Sequence, residues 1–462
     1  MKYLWLPFFY VVLCLCELSG QAATRPLAVS ESGTHLIYAD DASPFFYLAD
    51  TAWELLHRLD LRESKHYLQQ RAKDGFNVIQ CVFLAELEGI RTPNRNGDFA
   101  LIDGDPTRIN PAYLEQVDAV LAEAERLGLY LGLLPTWGDK FNLKWGVGPE
   151  IFTPENAEIF GRLLAEHYRG RNIIWILGGD RNPEEEEDFE IIRSMATGIR
   201  AVIGQEQLIT YHPQGGYCSL DFWAADEWLD FHMFQSGHGK TNDKANYDQV
   251  VRARREAPNQ PVINGEPAYE DHPINWRSVN GWFDDWDTRQ AAYWSVFSGA
   301  AGHTFGNHNI WQMWHFRHQP ISQARTPWDA ALQYPGAQQM GYLRQLMERM
   351  NYPSLQPCNN CLADPANSSG RETFAMRSRP GTAPRLLVYT PYGDPITIAL
   401  DQFLEGEAVQ LKSYWFNPRT GATIPFAYEN YYQGDGLSLT ADPPFAAARG
   451  NDWVLYFTTQ AD

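Results

Sequence analysis

The sequence predicts an α/β protein: a (β/α)8 TIM barrel followed by a C-terminal antiparallel β-sandwich domain. Between about residues 45 and 310, short apolar runs alternate with amphipathic stretches, which is the pattern of repeated βα units. About eight such units in this length of chain fit a closed barrel. A doubly wound open sheet is the alternative, but no glycine-rich dinucleotide-binding turn follows the first strand.

The predicted strands are apolar at successive positions, as parallel strands buried on both faces should be. They are Phe45–Ala49, Val78–Phe83, Tyr130–Leu134, Ile173–Leu177, Leu208–His212, Phe231–Gln235, Val262–Asn264 and His303–Phe305. Helices are predicted between them at Arg62–Lys73, Pro111–Leu127, Pro154–Tyr168 and Glu190–Ile203. The third of these begins with Thr153 as N-cap and a proline at the first helical position.

The first 22 residues are predicted to be a cleaved signal peptide. Lys2 supplies a positive charge, Leu4–Cys16 is almost wholly apolar, and Gly20 and Ala22 are the small residues of a cleavage site. We therefore expect a secreted or periplasmic protein. A lipoprotein anchor is not favoured, because a leucine rather than a small residue precedes each cysteine of this run. No other segment is apolar enough to suggest a membrane span.

The chain after the signal peptide divides into two predicted domains, the barrel at residues 23–350 and the β-domain at residues 365–462. A Pro/Asn/Ser/Gly-rich stretch separates them, and alternating polar and apolar segments typical of antiparallel strands follow. Cys358 and Cys361 lie in the separating stretch, where they could close a small disulfide after export. A lone pair of this spacing is weak evidence for zinc, because no second pair accompanies it.

Composition narrows the range of partners. The net charge of −20 argues against nucleic acid, whose phosphates would be repelled. Aromatic residues make up 14% of the chain, with 16 Trp and 23 Tyr. Such a content suits stacking on the flat apolar face of a sugar ring, although a large aromatic core would also account for it. The oligomeric state cannot be read from the sequence.

Polar side chains follow or mark the ends of the predicted strands, and His303 and His308 flank the eighth. The active site of a (β/α)8 barrel is built at the carboxyl ends of its strands, so these residues are the candidates for chemistry. In chain order they are Asp50, Glu86, Glu88, Trp137, Asp139, Asp180, Tyr211, His212, Gln214, Gln235, His238, Glu266, His303 and His308.

Two of these residues match the needs of glycosidic bond hydrolysis, which uses one carboxyl group to protonate the leaving oxygen and another to attack the sugar or activate water. Asp180 follows the fourth strand and suits the first role, provided that apolar surroundings raise its pKa. Glu266 follows the seventh strand, across the barrel, and suits the second. The alternatives are a helix N-cap or a salt bridge to Arg181 for Asp180, and a buried structural carboxylate for Glu266.

Eight ordered motifs together resemble the apiosidase-like glycoside hydrolases. These motifs are Asp50–Leu55, Leu84–Gly89, Leu134–Asp139, Gly178–Pro183, Tyr211–Gly215, Gln235–His238, Gly265–Pro267 and Gly302–Gly306. The resemblance implies a retaining barrel enzyme with Asp180 as acid/base and Glu266 as nucleophile. It further implies release of apiose from side chains of a plant pectic polysaccharide, without a cofactor.

The remaining candidates are predicted to bind substrate. Asp50, Glu86 and Glu88 would accept hydrogen bonds from sugar hydroxyls, unless they form salt bridges at the barrel mouth. The other predicted contacts are aromatic or neutral polar residues that would stack on the sugar, position it or position Glu266. The alternative for them is burial in the core. They are Trp53, Trp137, Tyr211, His212, Gln235, His238, His303 and Trp311.

Three other functions are considered. A metal-dependent hydrolase could use His212, His238, His303, His308 and Asp50, but no His-x-His pair follows the first strand and no HExxH motif is present. No metal is therefore predicted. A non-catalytic carbohydrate-binding protein would not need both carboxylates. Lytic β-elimination would require a basic residue beside a uronate, usually with calcium, and no such cluster is evident.

Overall fold

Eight parallel strands form a nearly closed barrel with helices packed around its outside, and an antiparallel β-domain follows. The computed structural model describes residues 24–365, 368, 370–404, 409–432 and 438–459. The predicted fold class is confirmed. The predicted signal peptide lies outside the described residues.

The strands are numbered in chain order. They are β1 (Leu27–Val29), β2 (Leu36–Tyr38), β3 (Pro44–Phe45), β4 (Tyr47–Thr51), β5 (Val78–Leu84), β6 (Tyr130–Thr136), β7 (Ile173–Gly178), β8 (Ile209–His212), β9 (His232–Phe234), β10 (Val262–Asn264), β11 (Gly302–Phe305), β12 (Leu355–Pro357), β13 (Phe374–Ser378), β14 (Arg385–Thr390), β15 (Ile396–Ala399), β16 (Val409–Phe416), β17 (Thr423–Tyr432), β18 (Ser438–Ala441) and β19 (Trp453–Thr458).

The helices are numbered in the same way. They are α1 (Leu55–Arg58), α2 (Leu61–Lys73), α3 (Pro111–Arg126), α4 (Pro154–Tyr168), α5 (Glu186–Ile203), α6 (Leu220–Trp223), α7 (Ala245–Glu256), α8 (Asp285–Phe297), α9 (His308–Trp311), α10 (Trp328–Ala331), α11 (Pro335–Arg349) and α12 (Leu400–Leu404). Among the described residues, no helix combines the length and apolarity needed to cross a membrane.

Strand order in the barrel is β8-β7-β6-β5-β4-β11-β10-β9, with every neighbouring pair parallel. The barrel closes between β8 and β9 through fewer contacts. Here the Asp230 N–H donates to the Ile209 carbonyl at 2.9 Å, and the Thr210 hydroxyl donates to the Phe231 carbonyl at 2.6 Å. All eight predicted barrel strands are present, each displaced by at most about two residues at either end.

Local sequence also explains where helices begin. The Thr153 side chain accepts a hydrogen bond from the Asn156 N–H, and the Asn156 side-chain oxygen accepts one from the Thr153 N–H. This capping box satisfies two backbone donors that the first helical turn leaves unpaired. With Pro154 at the first position, α4 starts where the sequence predicts it.

Successive side chains of a strand point alternately into the barrel and outward against the helices. Ala49, Val78 and Ile263 belong to the apolar cluster that fills the interior. Asp50, the next residue of β4, points outward and contacts α2. This alternation decides which polar residues at the strand ends can reach the barrel mouth.

The C-terminal domain has two layers of antiparallel strands. One sheet has the order β12-β13-β14-β19-β16-β17, and a second contains β15 and β18. Ile396 and Leu439 of the small sheet pack with Val388 and Leu455 of the large one in a single apolar cluster. The structure joins Cys358 and Cys361 by a disulfide beside this cluster.

The two domains share a buried interface. Side chains of α8 and α11 form one apolar cluster with β13, β14 and β19. At its edge, Arg289 of α8 forms a two-point ion pair with Asp452, with N–O distances of 2.9 and 3.0 Å and both residues almost completely buried. The β-domain therefore supports the outer helices of the barrel on the side that carries α8 and α11.

Candidate active site

A cavity of about 950 Å³ opens at the carboxyl ends of the barrel strands. It is lined by both predicted catalytic carboxylates, Asp180 and Glu266, and by aromatic and polar side chains. The predicted substrate-binding residues that line it are Trp53, Glu86, Trp137, Gln235, His238 and Trp311. A largely apolar cavity with a few convergent polar groups is the usual form of a small-molecule or glycan site.

Asp180 follows β7 in a tight turn. Gly178, Gly179 and Asp180 all have positive φ, at 94°, 89° and 51°. A side chain at Gly178 would meet the His212 carbonyl at 2.5 Å, and one at Gly179 would meet the Trp137 Cα at 2.9 Å. The two glycines therefore allow β7 to turn between its neighbours. The turn holds Asp180 in the left-handed region, a strained conformation that often marks functional sites.

The Asp180 carboxyl group is held by a tryptophan. The indole N–H of Trp145, in the loop after β6, donates to Asp180 Oδ2 at 2.9 Å. Burial and the nearby charge of Glu266 raise the pKa of Asp180 to about 6. Asp180 thus retains a proton at mildly acidic pH, as a general acid requires.

Glu266 lies between two histidines. Nε2 of His238 is 2.9 Å from Oε1, and Nε2 of His212 is 3.1 Å from Oε2. Burial alone would raise the pKa of Glu266, but the contacts with His212 and His238 outweigh it and lower the pKa to about 2. Glu266 is therefore ionised over the pH range in which Asp180 is protonated.

His212 connects the two carboxylates. Its Nδ1 accepts a hydrogen bond from the backbone N–H of Asp180 at 3.2 Å. A neutral imidazole that accepts at Nδ1 carries its proton on Nε2, and this nitrogen faces Glu266. The sequence placed His212 among residues that position Glu266 or the sugar. Although buried behind the cavity wall, it contacts both Glu266 and the Asp180 backbone.

Tryptophan side chains form much of the cavity wall. Trp53 and Trp137 lie with ring centroids 5.1 Å apart, and the Trp53 indole donates to the Tyr269 hydroxyl at 3.0 Å. Trp145 and Trp276 stand nearer the opening, with 37% and 48% of their surfaces exposed. Exposed indole faces beside carboxyl groups are suited to stacking on sugar rings.

Besides His212, four predicted substrate-binding residues do not line the cavity. Asp50 points outward and binds Tyr67 and Arg71 of α2, each at 2.6 Å. Tyr211 also points outward, and its hydroxyl donates to the Arg181 carbonyl.

The other two are His303 and Glu88. His303 is buried and stands in register with Leu48, whose side chain packs toward the helices. Glu88 lies beyond the end of β5 and is exposed to solvent. For Asp50, Tyr211 and His303, the alternation of side chains along a strand gives the reason, because each lies within a barrel strand at an outward position.

Glu86 is the third carboxyl group of the cavity. Burial, together with the charges of Asp139 and Asp180, raises the pKa of Glu86 well above its usual range. A protonated carboxyl group can donate as well as accept a hydrogen bond, which suits contact with a sugar hydroxyl.

Sequence reasoning missed three residues that belong to the site: Trp145, Tyr269 and Trp276. Tyr269 lies three positions after Glu266, and this nearness in the chain was the available indication. The two tryptophans lie in long loops after β6 and β10, where no periodicity indicates which side chain turns inward.

The residues considered for a metal site do not come together in the structure. Asp50 and His303 point toward the outer helices, whereas His212 and His238 contact Glu266. In the described part of the chain, no group of three or more His, Cys, Asp or Glu side chains has the arrangement to hold a metal ion.

Two family models match the chain. Residues 30–354 match the family model described as "Apiosidase-like, catalytic domain". Residues 357–458 match a second model, whose description names the collagen-binding domain of a collagenase. Comparison with curated proteins gives no match.

Two solved structures match over nearly the full length. One, described as a glycoside hydrolase, is 28% identical with a TM-score of 0.83, over 96% of this chain and 98% of that one. The other, a glycoside hydrolase family 5 structure from Bacteroides vulgatus ATCC 8482, is also 28% identical with a TM-score of 0.83, over 94% and 93% of the two chains.

The fold, the cavity and these similarities define a glycoside hydrolase built on a TIM barrel. Within that class, the chain belongs to the apiosidase-like family, whose catalytic-domain model matches more than half of it.

Proposed function

We propose that this protein is a secreted, retaining, exo-acting apiosidase that removes terminal apiose from side chains of plant pectic polysaccharide. The observation that carries the proposal is that two carboxyl groups face one cavity in surroundings that drive their pKa values apart. Asp180 has its pKa raised to about 6, and Glu266 has its pKa lowered to about 2. Paired carboxyl groups whose surroundings separate their pKa values in this way are typical of glycosidases.

In the first step, Glu266 attacks the anomeric carbon while the Asp180 proton passes to the glycosidic oxygen as the carbon–oxygen bond breaks. The product is a glycosyl ester on Glu266 and a released alcohol. In the second step, the Asp180 carboxylate takes a proton from water, which attacks the anomeric carbon and regenerates Glu266. The two displacements together retain the anomeric configuration.

The surroundings of Glu266 favour the nucleophile role. One carboxylate oxygen accepts a hydrogen bond from His238 Nε2 at 2.9 Å, and the other lies 3.1 Å from His212 Nε2. A fixed, ionised carboxylate is suited to attack a bound sugar directly. His212 contacts both Glu266 and the Asp180 backbone, so one side chain links the two proposed catalytic residues.

Two features support the proposed substrate and location. The cavity, of about 950 Å³, has room for a terminal pentose and for part of the sugar that precedes it, and exposed Trp145 and Trp276 stand where further sugars would emerge. The apolar N-terminal run and the disulfide between Cys358 and Cys361 agree with export to an oxidising compartment.

The proposal is tested by measuring free apiose released from pectic polysaccharides by the full-length secreted chain. We expect release by the wild type, a loss of about 10²–10⁴-fold in Asp180→Asn, and a loss of about 10⁴-fold or more in Glu266→Gln. The matched control is Glu88→Gln, which makes the same chemical change at an exposed carboxylate outside the cavity and should retain wild-type turnover.

The configuration of the first-formed product, followed by NMR, tests retention. Inversion would assign Glu266 to activation of water instead of attack on the sugar. If the wild type releases no apiose but releases another sugar through the same two residues, the substrate is wrong and the reaction class stands. Normal turnover in both isosteric variants would overturn the catalytic assignment.

A further inference from the structure

Trp145 contacts Asp180 in a way that the reaction itself does not require. Its indole N–H donates to Asp180 Oδ2 at 2.9 Å, while its ring forms part of the cavity wall. An indole can only donate, so this bond can form only with an oxygen that is accepting. When Asp180 is protonated, the oxygen that accepts from Trp145 cannot also point its own proton along that line.

We propose that Trp145 is a positioning residue that fixes the Asp180 carboxyl group through Oδ2 and so assigns Oδ1 as the oxygen that delivers the proton to the leaving group. The proposal deepens the function proposed above and rests on it for the role of Asp180. Proton transfer is balanced: Oδ1 loses its proton to the glycosidic oxygen as that bond breaks, and regains one from water in the second step. Trp145 keeps its own N–H proton throughout.

The loop that carries Trp145 is held against Asp180 by Arg181, the residue that follows Asp180 in the chain. Arg181 is fully buried, and its Nε and Nη2 atoms donate to the carbonyls of Asn142 and Trp145 at 2.7 and 2.8 Å. Its guanidinium lies 4.0 Å from the centroid of the Trp145 ring, as a cation–π contact. Any movement of the Asp180–Arg181 segment is therefore transmitted to the indole.

The far side of the same loop is fixed by two residues that directly follow β6. The Oδ2 atom of buried Asp139 accepts hydrogen bonds from the backbone N–H groups of Val147 and Gly148 at 2.9 and 2.8 Å. Lys140, also buried, pairs with this carboxylate at 2.7 Å. Charged groups without access to water are costly unless paired, so a buried pair that holds a surface loop indicates that the position of the loop matters.

Trp145→Phe provides the main test, because it keeps an aromatic wall and removes the N–H. Without this bond, the carboxyl group can rotate, and its ionised form loses a donor. We expect kcat to fall about 10-fold on a substrate with a sugar leaving group, the typical effect of losing a hydrogen bond to a charged group. Hydrolysis of a 4-nitrophenyl glycoside of the same sugar should fall much less, because that leaving group needs little protonation.

The pH profile separates positioning from stacking. Donation by Trp145 favours the ionised form of Asp180, so the alkaline limb of kcat/KM should move to higher pH in Trp145→Phe. Trp276→Phe makes the same change at another cavity tryptophan and should leave this limb in place, whatever its effect on KM. If Trp145→Phe folds poorly, benzothienylalanine at position 145 provides the same test, because it replaces only the indole N–H by sulfur. It should show the same shift of the alkaline limb.

A measurement without substrate tests the role of Trp145 separately from the proposed apiosidase activity. The ¹³C resonance of the Asp180 carboxyl group, assigned by its loss in Asp180→Asn, is titrated in the wild type and in Trp145→Phe. A midpoint moved to higher pH supports the positioning role even if apiose is not the substrate. An unchanged midpoint, or equal losses on the two leaving groups, would overturn it.

Discussion

The His238–Glu266 contact is the part of the site whose removal has the most clearly calculable effect. His238 donates from Nε2 to Glu266 Oε1 at 2.9 Å, and its Nδ1 has no hydrogen-bond partner among the described residues. Its ring stacks on His272 with centroids 4.3 Å apart. His238→Phe therefore retains a ring of similar size and removes a single hydrogen bond, one that stabilises the ionised carboxylate.

The magnitude follows from the charge on the acceptor. A hydrogen bond to a charged group contributes about 1.5–3 kcal/mol, and about 1.4 kcal/mol corresponds to one pH unit of proton affinity. Losing the bond should thus move the midpoint of the acid limb of kcat/KM to higher pH by about one to two units. Because the pKa of Glu266 is lowered to about 2, the wild type should show no acid limb above about pH 3. His238→Phe should show one.

The assay is sugar release between pH 3 and pH 8, with circular dichroism at each pH to confirm that the protein remains folded. His238→Gln is the matched control, because its amide can place a donor near the position of the imidazole Nε2 and should restore much of the wild-type profile. An acid limb in the same position in wild type and His238→Phe would refute the reasoning, since it would mean that His238 does not set the ionisation of Glu266.

Three further predictions follow from the same structure. Activity should decline as pH rises through about 6, because the raised pKa of Asp180 leaves its protonated form present below that pH and lost above it; a flat kcat/KM profile from pH 5 to 8 would contradict this. Trp276→Ala should raise KM roughly 5-fold with little change in kcat, as the loss of about 1 kcal/mol of stacking would, and a fall confined to kcat would argue against a platform. Arg289→Met should lower the free energy of unfolding by about 3–5 kcal/mol, because it leaves Asp452 buried without its main partner. Replacing both residues by apolar ones should recover most of that loss in urea titrations, and an Arg289→Met protein as stable as the wild type would show that the pair is dispensable.

The ends of the barrel strands show what the sequence pattern can predict about the site and what it cannot. Apolar runs indicated all eight barrel strands and their ends to within about two residues. The carboxylates after the fourth and seventh strands indicated a candidate catalytic pair, and both line the cavity. The same reasoning treated every polar residue near a strand end as facing the cavity. Asp50 and Tyr211 show why that fails, since a shift of one residue turns a side chain from the mouth to the outer helices.

The sequence by itself determined the barrel, the family resemblance and the candidate acid and nucleophile, because these depend on local periodicity and on short motifs. Only the tertiary structure decided that His212 and His238 hold Glu266, that Trp145 holds Asp180, and that the cavity separates their pKa values. Burial and hydrogen bonds between segments set those properties, and both depend on strand register and loop paths that bring residues distant in the chain together. No local pattern carries that information.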